Sequence, residues 1–364
     1  MASIWRRLSV RAMRIAYLTY EVPDGRSGVA KKITAQSRYW REQGHEVRHF
    51  VLATPRPDET SSITFLVSRP VRPPMLAAAL ANETTRRALH DWRPDIVYVR
   101  QMLWWPGAVA ALDAAPLVIE YNSIARHEYR AVSSLKYAIE CFSRGFLPRA
   151  ARGVIAVTRE LAQDVPATEA RRIVVSNGYD LAKVRPRVPP QHARPQLLLV
   201  GSPGQSWHGV DKVLRLAHLL PEFDFHLVVP QLSINGPDNL FCHGALYGED
   251  LVKRYEQTDV ALGTLALHRK NMREAAPLKT RECLAYGIPV IGGYDDADLD
   301  GAGYWLNIGN TEHNVEQAVQ PIREFVQSWR GRLPDRNDVE RRVGYAGKES
   351  QRLAFLEQVV RDGR

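Results

Sequence analysis

The sequence predicts an α/β fold of two Rossmann-like, doubly wound parallel sheets facing a central cleft. Three observations predict it. Short apolar runs alternate with helix-length stretches, the pattern of βαβ units. A proline-rich segment near the middle breaks the alternation, which then restarts. The chain of 364 residues also exceeds one ordinary domain of about 100–200 residues.

The first domain is expected over residues 13–185. Its strands are read at Arg14 to Thr19, Glu46 to Leu52, Ile63 to Val67, Ile96 to Val99, Leu117 to Glu120, Val154 to Val157 and Ile173 to Val175. Each is a brief β-branched or aromatic run bounded by polar or glycine-containing turns. Apolar residues at helical spacing predict helices near Val29 to Glu42, Leu76 to Asp91, Ile124 to Phe146 and Arg159 to Asp164. The stretch DLAKVRPRVPPQHARPQ, Asp180 to Gln196, has no period and four prolines, so residues 186–195 are read as a linker.

A second domain is expected over residues 196–335. Strands are read at Leu197 to Val200, Phe225 to Val229, Leu240 to Cys242, Val260 to Gly263 and Val290 to Gly292. Helices are read near Val210 to Leu219, Glu249 to Gln257, Leu278 to Tyr286 and Glu312 to Trp329. The charged tail, residues 336–364, is expected to be helical and to pack back toward the first domain.

Composition, 45% hydrophobic and 24% charged, is that of a globular protein. No apolar run reaches the roughly 20 residues of a membrane-spanning helix. Cys141, Cys242 and Cys283 are odd in number and lack C-x-x-C spacing, which argues against disulfides or a zinc site and for a reducing, cytoplasmic setting. The total charge of +9 is uneven: residues 1–190 carry 29 Lys and Arg against 17 Asp and Glu, and residues 191–364 carry 20 against 23. A basic first half is suited to an anionic partner, such as a phosphate-bearing acceptor or, by peripheral contact, the inner face of an anionic membrane, and it equally fits a solvated, arginine-rich surface. No nucleic-acid module is recognisable, so nucleic acid is not expected as a partner. Residues 1–12, with Trp5, Arg6, Arg7 and Arg11, form a basic extension without the apolar segment of a signal peptide, and they are read as lying outside the fold.

Open parallel sheets bind ligands beyond the carboxyl ends of their strands, so the loops there carry the candidates. In the loop after the first strand, Gly25 and Gly28 permit a tight turn into a helix whose N-terminus could receive a phosphate. That arrangement also serves structure alone. No G-x-x-x-x-G-K-[ST] sequence occurs, which disfavours a P-loop enzyme.

The segment HRKNMREAAPLKTRECLAYGIPVIGG, His268 to Gly293, is more specific. Pro277 starts a helix and Gly287 ends it. Glu274 then lies in the preceding loop and Glu282 about one turn inside. The helix start presents backbone N–H groups near Ala276, Pro277 and Leu278 to a diphosphate, and the carboxylates are suited to accept hydrogen bonds from sugar and ribose hydroxyls. From spacing alone, Glu282 equally fits an ordinary solvated helix face.

This segment resembles the E-x7-E signature of retaining glycosyltransferases with the two-domain GT-B fold, especially family 4, here Glu274-AAPLKTR-Glu282 followed by CLAYGIPVI. Further stretches match in order: MRIAYLTYEVP from Met13, Gly28, the turn at Gly44, VIAVTREL from Val154, VVSNGYD from Val174, LLLVGS from Leu197 and WHGVD from Trp207. The resemblance spans about residues 13–330. It implies that Glu274 contacts the donor sugar and stabilises developing positive charge, that Glu282 holds the ribose, and that Gly28 lets the N-terminal loop approach the diphosphate. It also implies transfer with retention, no metal and no other cofactor.

Two departures from the family pattern stand out. The Arg and Lys usual after the first strand of the second domain are missing; the sequence there is GSPGQSWHG, and Gly201 and His208 are its donor-side candidates. Lys279 is the candidate replacement cation, ahead of Lys270 and Arg273. The usual acceptor-side histidine is also missing, leaving Asn122 in its neighbourhood and His127 a turn further on. Trp104 and Trp105 follow a strand end; one is expected in the core and the other against an acceptor. Asp296 and Asp298 imitate a metal-binding D-x-D but lie where that role is not expected, and are read as a polar loop.

The expected function is transfer of a sugar from a UDP- or GDP-type nucleotide sugar to a glycan or lipid-linked acceptor. A nucleotide-sugar epimerase or hydrolase of the same fold, and a degenerate partner subunit without activity, remain as alternatives.

Overall fold

The computed structural model describes residues 12–24, 27–55 and 62–363, with Ala131 and Val132 described by backbone alone. The basic extension through Arg11 and Gly25 of the first loop lie outside the described residues. The chain divides into two compact units. One holds the chain to Ala156, Leu161–Val174 and Glu349 onward; the other holds Val157–Glu160 and Val175–Lys348.

The first unit follows the order β1 (Arg14–Thr19), α1 (Gly28–Glu42), β2 (Glu46–Val51), β3 (Ile63–Phe65), α2 (Pro74–Leu80), α3 (Asn82–Trp92), β4 (Ile96–Arg100), α4 (Ala108–Ala111), β5 (Leu117–Tyr121), α5 (Ala125–Val132), α6 (Ser134–Ser143), α7 (Phe146–Ala150), β6 (Gly153–Ala156), α8 (Arg159–Asp164) and β7 (Arg171–Val174). Its seven strands are parallel in the order β3-β2-β1-β4-β5-β6-β7. Ile15 to Leu18 and Ile96 to Tyr98 are completely buried, as continuous apolar strands covered on both faces must be. Helix α1 is capped by Ser27, whose hydroxyl accepts from the Ala30 N–H at 3.0 Å, and it buries Ile33, Gln36, Ser37 and Trp40 along one stripe. The long helices read from the sequence are interrupted. Ser133 separates α5 from α6 by capping the second helix, and Ala81 separates α2 from α3.

The second unit runs β8 (Gln196–Val200), α9 (Val210–Leu219), β9 (Asp224–Val228), β10 (Leu240–Cys242), α10 (Gly248–Glu256), β11 (Val260–Leu262), α11 (Leu278–Ala285), β12 (Val290–Gly292), β13 (Trp305–Asn307), α12 (Asn314–Gln317), α13 (Val319–Trp329) and α14 (Arg336–Val343). Its parallel order is β10-β9-β8-β11-β12-β13. Alternate residues of β8 point to opposite cores. Leu197 and Leu199 pack with apolar residues of α9 and α13, whereas Leu198 packs with Leu284 of α11 and Val339 and Val343 of α14. The last helix, α15 (Tyr345–Asp362), begins in this unit and contributes Glu349 onward to the first.

The division falls earlier than the expected boundary after residue 185. Residues 175–185 belong to the second unit because they pair there: the Tyr179 N–H donates to Val343 O at 2.9 Å and Leu181 is buried in its core. The expected linker is likewise held, since Arg187 is buried and its backbone N–H donates to Tyr286 O at 2.9 Å. Strand β13 was not legible, because only three residues after a polar loop complete it. Among the described residues no helix is long and apolar enough to cross a membrane.

Candidate functional site

In the second sheet the chain order reverses between β8 and β11, and a pocket opens beyond their carboxyl ends. Val200, His208, Gly263, Pro277, Lys279 and Thr280 line it. Such a switch point is where open α/β sheets bind ligands.

The start of α11 forms one wall. Pro277 is its N-cap, with φ −68° and ψ 136°, and neither a capping side chain nor an acid occupies the first turn. A helix start left in this state offers backbone N–H groups and a positive dipole end to an anion. Lys279 extends from the first turn toward the loop after β8, its Nζ donating to Ser202 Oγ at 3.4 Å. Burial draws its pKa below the ordinary lysine value, while Glu282 opposes that shift.

His208, the donor-side candidate of the loop after β8, supplies no positive charge. Its Nδ1 accepts from the Ser202 N–H at 3.1 Å. Burial, helped by Lys279 and Lys270, lowers its pKa to about 4, so near neutral pH the ring is uncharged and carries its proton on Nε2. Gly201 makes room for that ring: a Cβ there would lie 3.1 Å from His208 Nδ1 and 2.8 Å from Val229.

Glu282 sits one turn into α11 and is not a plain solvated side chain. Its Oε1 accepts from the Tyr179 hydroxyl at 3.2 Å and its Oε2 from the Tyr255 hydroxyl at 3.3 Å. Glu274 precedes the helix on a parallel bridge to Asp295. Its Oε2 accepts from the Glu160 N–H at 3.1 Å, while Glu160 Oε2 accepts from the N–H groups of Arg273 at 2.8 Å and Glu274 at 2.9 Å. Asn177 Nδ2 holds the Ala276 carbonyl at 2.8 Å. Glu160, Asn177, Tyr179 and Tyr255 escaped the sequence-based site. Three of them lie in stretches that match the family, but nothing in spacing ties Glu160 to a glutamate 114 positions away.

The remaining donor-side candidates separate. Lys270 Nζ lies over the Trp207 ring, 4.8 Å from its centroid. Arg281, inside α11, is fully buried and pairs with Asp296 and with Asp298, the latter at 2.7 Å. Asp298 also meets Lys348 Nζ and Ser176 Oγ, each at 2.5 Å. The D-x-D pair is therefore an internal ion cluster supporting the helix. No group of three or more potential metal-ligating side chains gathers among the described residues.

The other candidates belong to the first unit. Asn122, after β5, accepts from Lys32 Nζ at 2.7 Å and donates to Glu120 Oε2 at 3.2 Å. Glu120 is buried, which works to raise its pKa, but Lys32 at 2.9 Å, Arg352 at 3.3 Å and Arg100 at 3.8 Å hold it below the carboxylate range. Asn122 is thus built into a charge network. His127 stands in the first turn of α5, half-buried, with Nε2 3.5 Å from Arg126 Nε. Trp105 is fully buried, its Nε1 donating to Asn82 Oδ1 at 2.8 Å, so it leaves the acceptor-side set as a core residue. Trp104 is half-buried and lines a separate small hollow with Gln101, Met102 and Glu140. Gly28 is exposed at the first position of α1, and a Cβ there would meet nothing within 4 Å.

Residues 26–183 match the model of Glycosyltransferase Family 4. No curated protein sequence matches the chain. Among solved structures it is similar to the sucrose-phosphate synthase of Thermosynechococcus elongatus, with a TM-score of 0.74 and 15% identity over 96% of this chain and 100% of that one. Anabaena HepE, solved with UDP and glucose, superposes with a TM-score of 0.64 at 12% identity over 95% and 100% of the two chains. The lipopolysaccharide outer core galactosyltransferase WaaB gives 0.66 at 14% identity over 94% and 99%. At these identities the likeness is one of fold. The match to Glycosyltransferase Family 4 lies within the first part of the chain, and the two parallel sheets give the chain the fold of the GT-B glycosyltransferases.

Proposed function

We propose that the protein transfers a hexose from a nucleotide-diphosphate sugar of the UDP or GDP type to a glycan or lipid-linked acceptor, with retention at the anomeric carbon and without a metal. One observation carries the reading: Lys279, the neutral His208 and the uncapped start of α11 converge on a single pocket at the switch point of the second sheet. The complex of HepE with UDP and glucose supports a nucleotide-sugar donor by likeness of fold.

In this reading the first-turn amides of α11 and Lys279 meet the diphosphate. Charge developing on the leaving phosphate is then stabilised by groups already in place, with no reorganisation during reaction. Tyr179 and Tyr255 fix the Glu282 carboxylate, whose remaining lone pairs accept the ribose hydroxyls. Glu274, oriented through Glu160, receives hydroxyls of the donor sugar. The leaving phosphate removes the proton of the acceptor hydroxyl. The acceptor is assigned to the first unit, where Trp104 lines a cavity, and its basic character suits peripheral contact with an anionic membrane on the cytoplasmic side.

A thermal-shift screen of UDP, GDP and ADP and their sugars identifies the donor, because a ligand bound to the native state raises the melting point. Glu274→Gln is expected to reduce transfer at least about a hundredfold while nucleotide binding and melting point stay unchanged. Full activity in that variant would remove Glu274 from the mechanism. Sugar released or isomerised from donor alone identifies a hydrolase or epimerase instead, and no binding of any nucleotide derivative identifies an inactive partner subunit.

A further inference from the structure

Helix α6 carries an apolar face that the fold leaves open. Leu135, Ala138 and Phe142 recur at i, i+3 and i+7 and so share one side of the helix. Leu135 is 68% and Phe142 75% exposed, whereas Glu140 and Ser143 face inward. Leaving two large apolar side chains in water on one short helix has a cost that burial against a partner would relieve.

Phe142 is also the outer end of an aromatic row. Its ring meets Phe146 edge-on at 5.5 Å, and Phe146 meets Trp104 edge-on at 5.1 Å. Beside it an open hollow of about 840 Å³ is lined by Phe142, Phe146, Arg126, Arg144 and Arg149. Asp164 pairs with both Arg126 and Arg144 and fixes them in place. Arg149 is exposed, as is Lys136 on α6, and neither pairs with a carboxylate among the described residues. Glu140, the acid of α6, is buried. The surface therefore presents apolar side chains within a cationic rim, the complement of a lipid interface with anionic headgroups.

We propose that this face of α6 is a docking surface for an anionic lipid bilayer, with Leu135 and Phe142 entering the headgroup boundary and the arginine-lined hollow taking lipid phosphate. The proposal deepens the peripheral membrane contact put forward above by naming its surface, and it is independent of the donor pocket.

The test is co-sedimentation of the full chain with vesicles of phosphatidylcholine alone or mixed with phosphatidylglycerol. Wild type is expected to bind the mixed vesicles, to bind phosphatidylcholine alone much more weakly, and to be released as salt rises. The double variant L135S/F142S should lower partition by at least about tenfold. R149E should lower it too and R149K should not. Leu80→Ser, at a residue 70% exposed on α2, should leave binding unchanged. Melting points confirm folding of each variant, and nucleotide affinity measured on the same samples should be that of wild type. Absent wild-type binding, equal binding to both vesicle types, undiminished binding by L135S/F142S, or an equal loss in Leu80→Ser would each overturn the proposal. So would a concentration-dependent dimer abolished by F142S, which would make a second copy of the chain the occupant. Loss of nucleotide binding alone, in wild type, would overturn the transferase reading and leave this surface standing.

Discussion

Lys279 concentrates the electrostatic question at the residue scale. The loop after β8 supplies no arginine or lysine, and His208 within it is uncharged near neutral pH. A half-buried amine beside an uncapped helix start is then the cation that a diphosphate would meet in this pocket. A charge-assisted hydrogen bond of this kind contributes about 1.5–3 kcal/mol. Lys279→Ala is accordingly expected to weaken binding of the nucleotide diphosphate by roughly tenfold or more in calorimetry. Unchanged affinity would show that the amides of α11 suffice and that Lys279 is only a partner for Ser202. The glutamate pair changes meaning at this scale as well. Spacing placed Glu274 and Glu282 around one helix start, whereas the structure shows that each is oriented by a group distant in sequence, Glu160 for one and Tyr179 with Tyr255 for the other.

At the scale of elements, the two candidate glycines separate by the space around them. Gly201 follows β8 with no room for a methyl group, since Val229 and the His208 ring already occupy it. Gly201→Ala should cost about 1–3 kcal/mol through overpacking and displace His208 from the pocket, read as a lower melting point together with weaker nucleotide binding. Gly28 opens α1 toward free space. Gly28→Ala should leave stability unchanged or raise it by up to about 1 kcal/mol, because alanine restricts the unfolded chain more than glycine does. A loss of transfer in that variant, at full stability, would then report close approach of a ligand to the loop; unaltered activity would end the case for Gly28 in donor binding. Elements with strong periodicity were legible to within a residue or two, as β1 and α9 show. Helix interruptions were not, because a single cap such as Ser133 divides a continuous apolar pattern without altering its period.

The whole molecule carries an acid sensitivity set by burial. His49, His208 and His226 have pKa values lowered to about 3, 4 and 3, in each case first by burial and then by nearby positive groups. Below the ordinary value of 6.5 the unfolded chain binds protons that these folded histidines refuse. Stability is therefore complete above pH 6.5 and declines as pH falls toward about 4, by about 1 kcal/mol per pH unit for each histidine. Urea midpoints measured at pH 7, 6 and 5 should fall progressively; a flat profile would show that these rings are protonated in the native state. In the first unit, Glu120 adds to the same trend at lower pH, since its folded pKa lies below the carboxylate range.

By itself the sequence determined the two parallel sheets, the helix start between Glu274 and Glu282, and the absence of the usual cations after Gly201, because periodicity, capping signals and missing residue types are local properties. Tertiary structure alone decided that residues 175–185 fold with the second unit, that Trp105 is core, that Asp296 and Asp298 neutralise Arg281, and that Glu120 meets Arg352. Those outcomes depend on which charges and faces meet across long stretches of chain. A buried charge takes whatever partner the fold brings within reach, and sequence spacing carries no record of that partner.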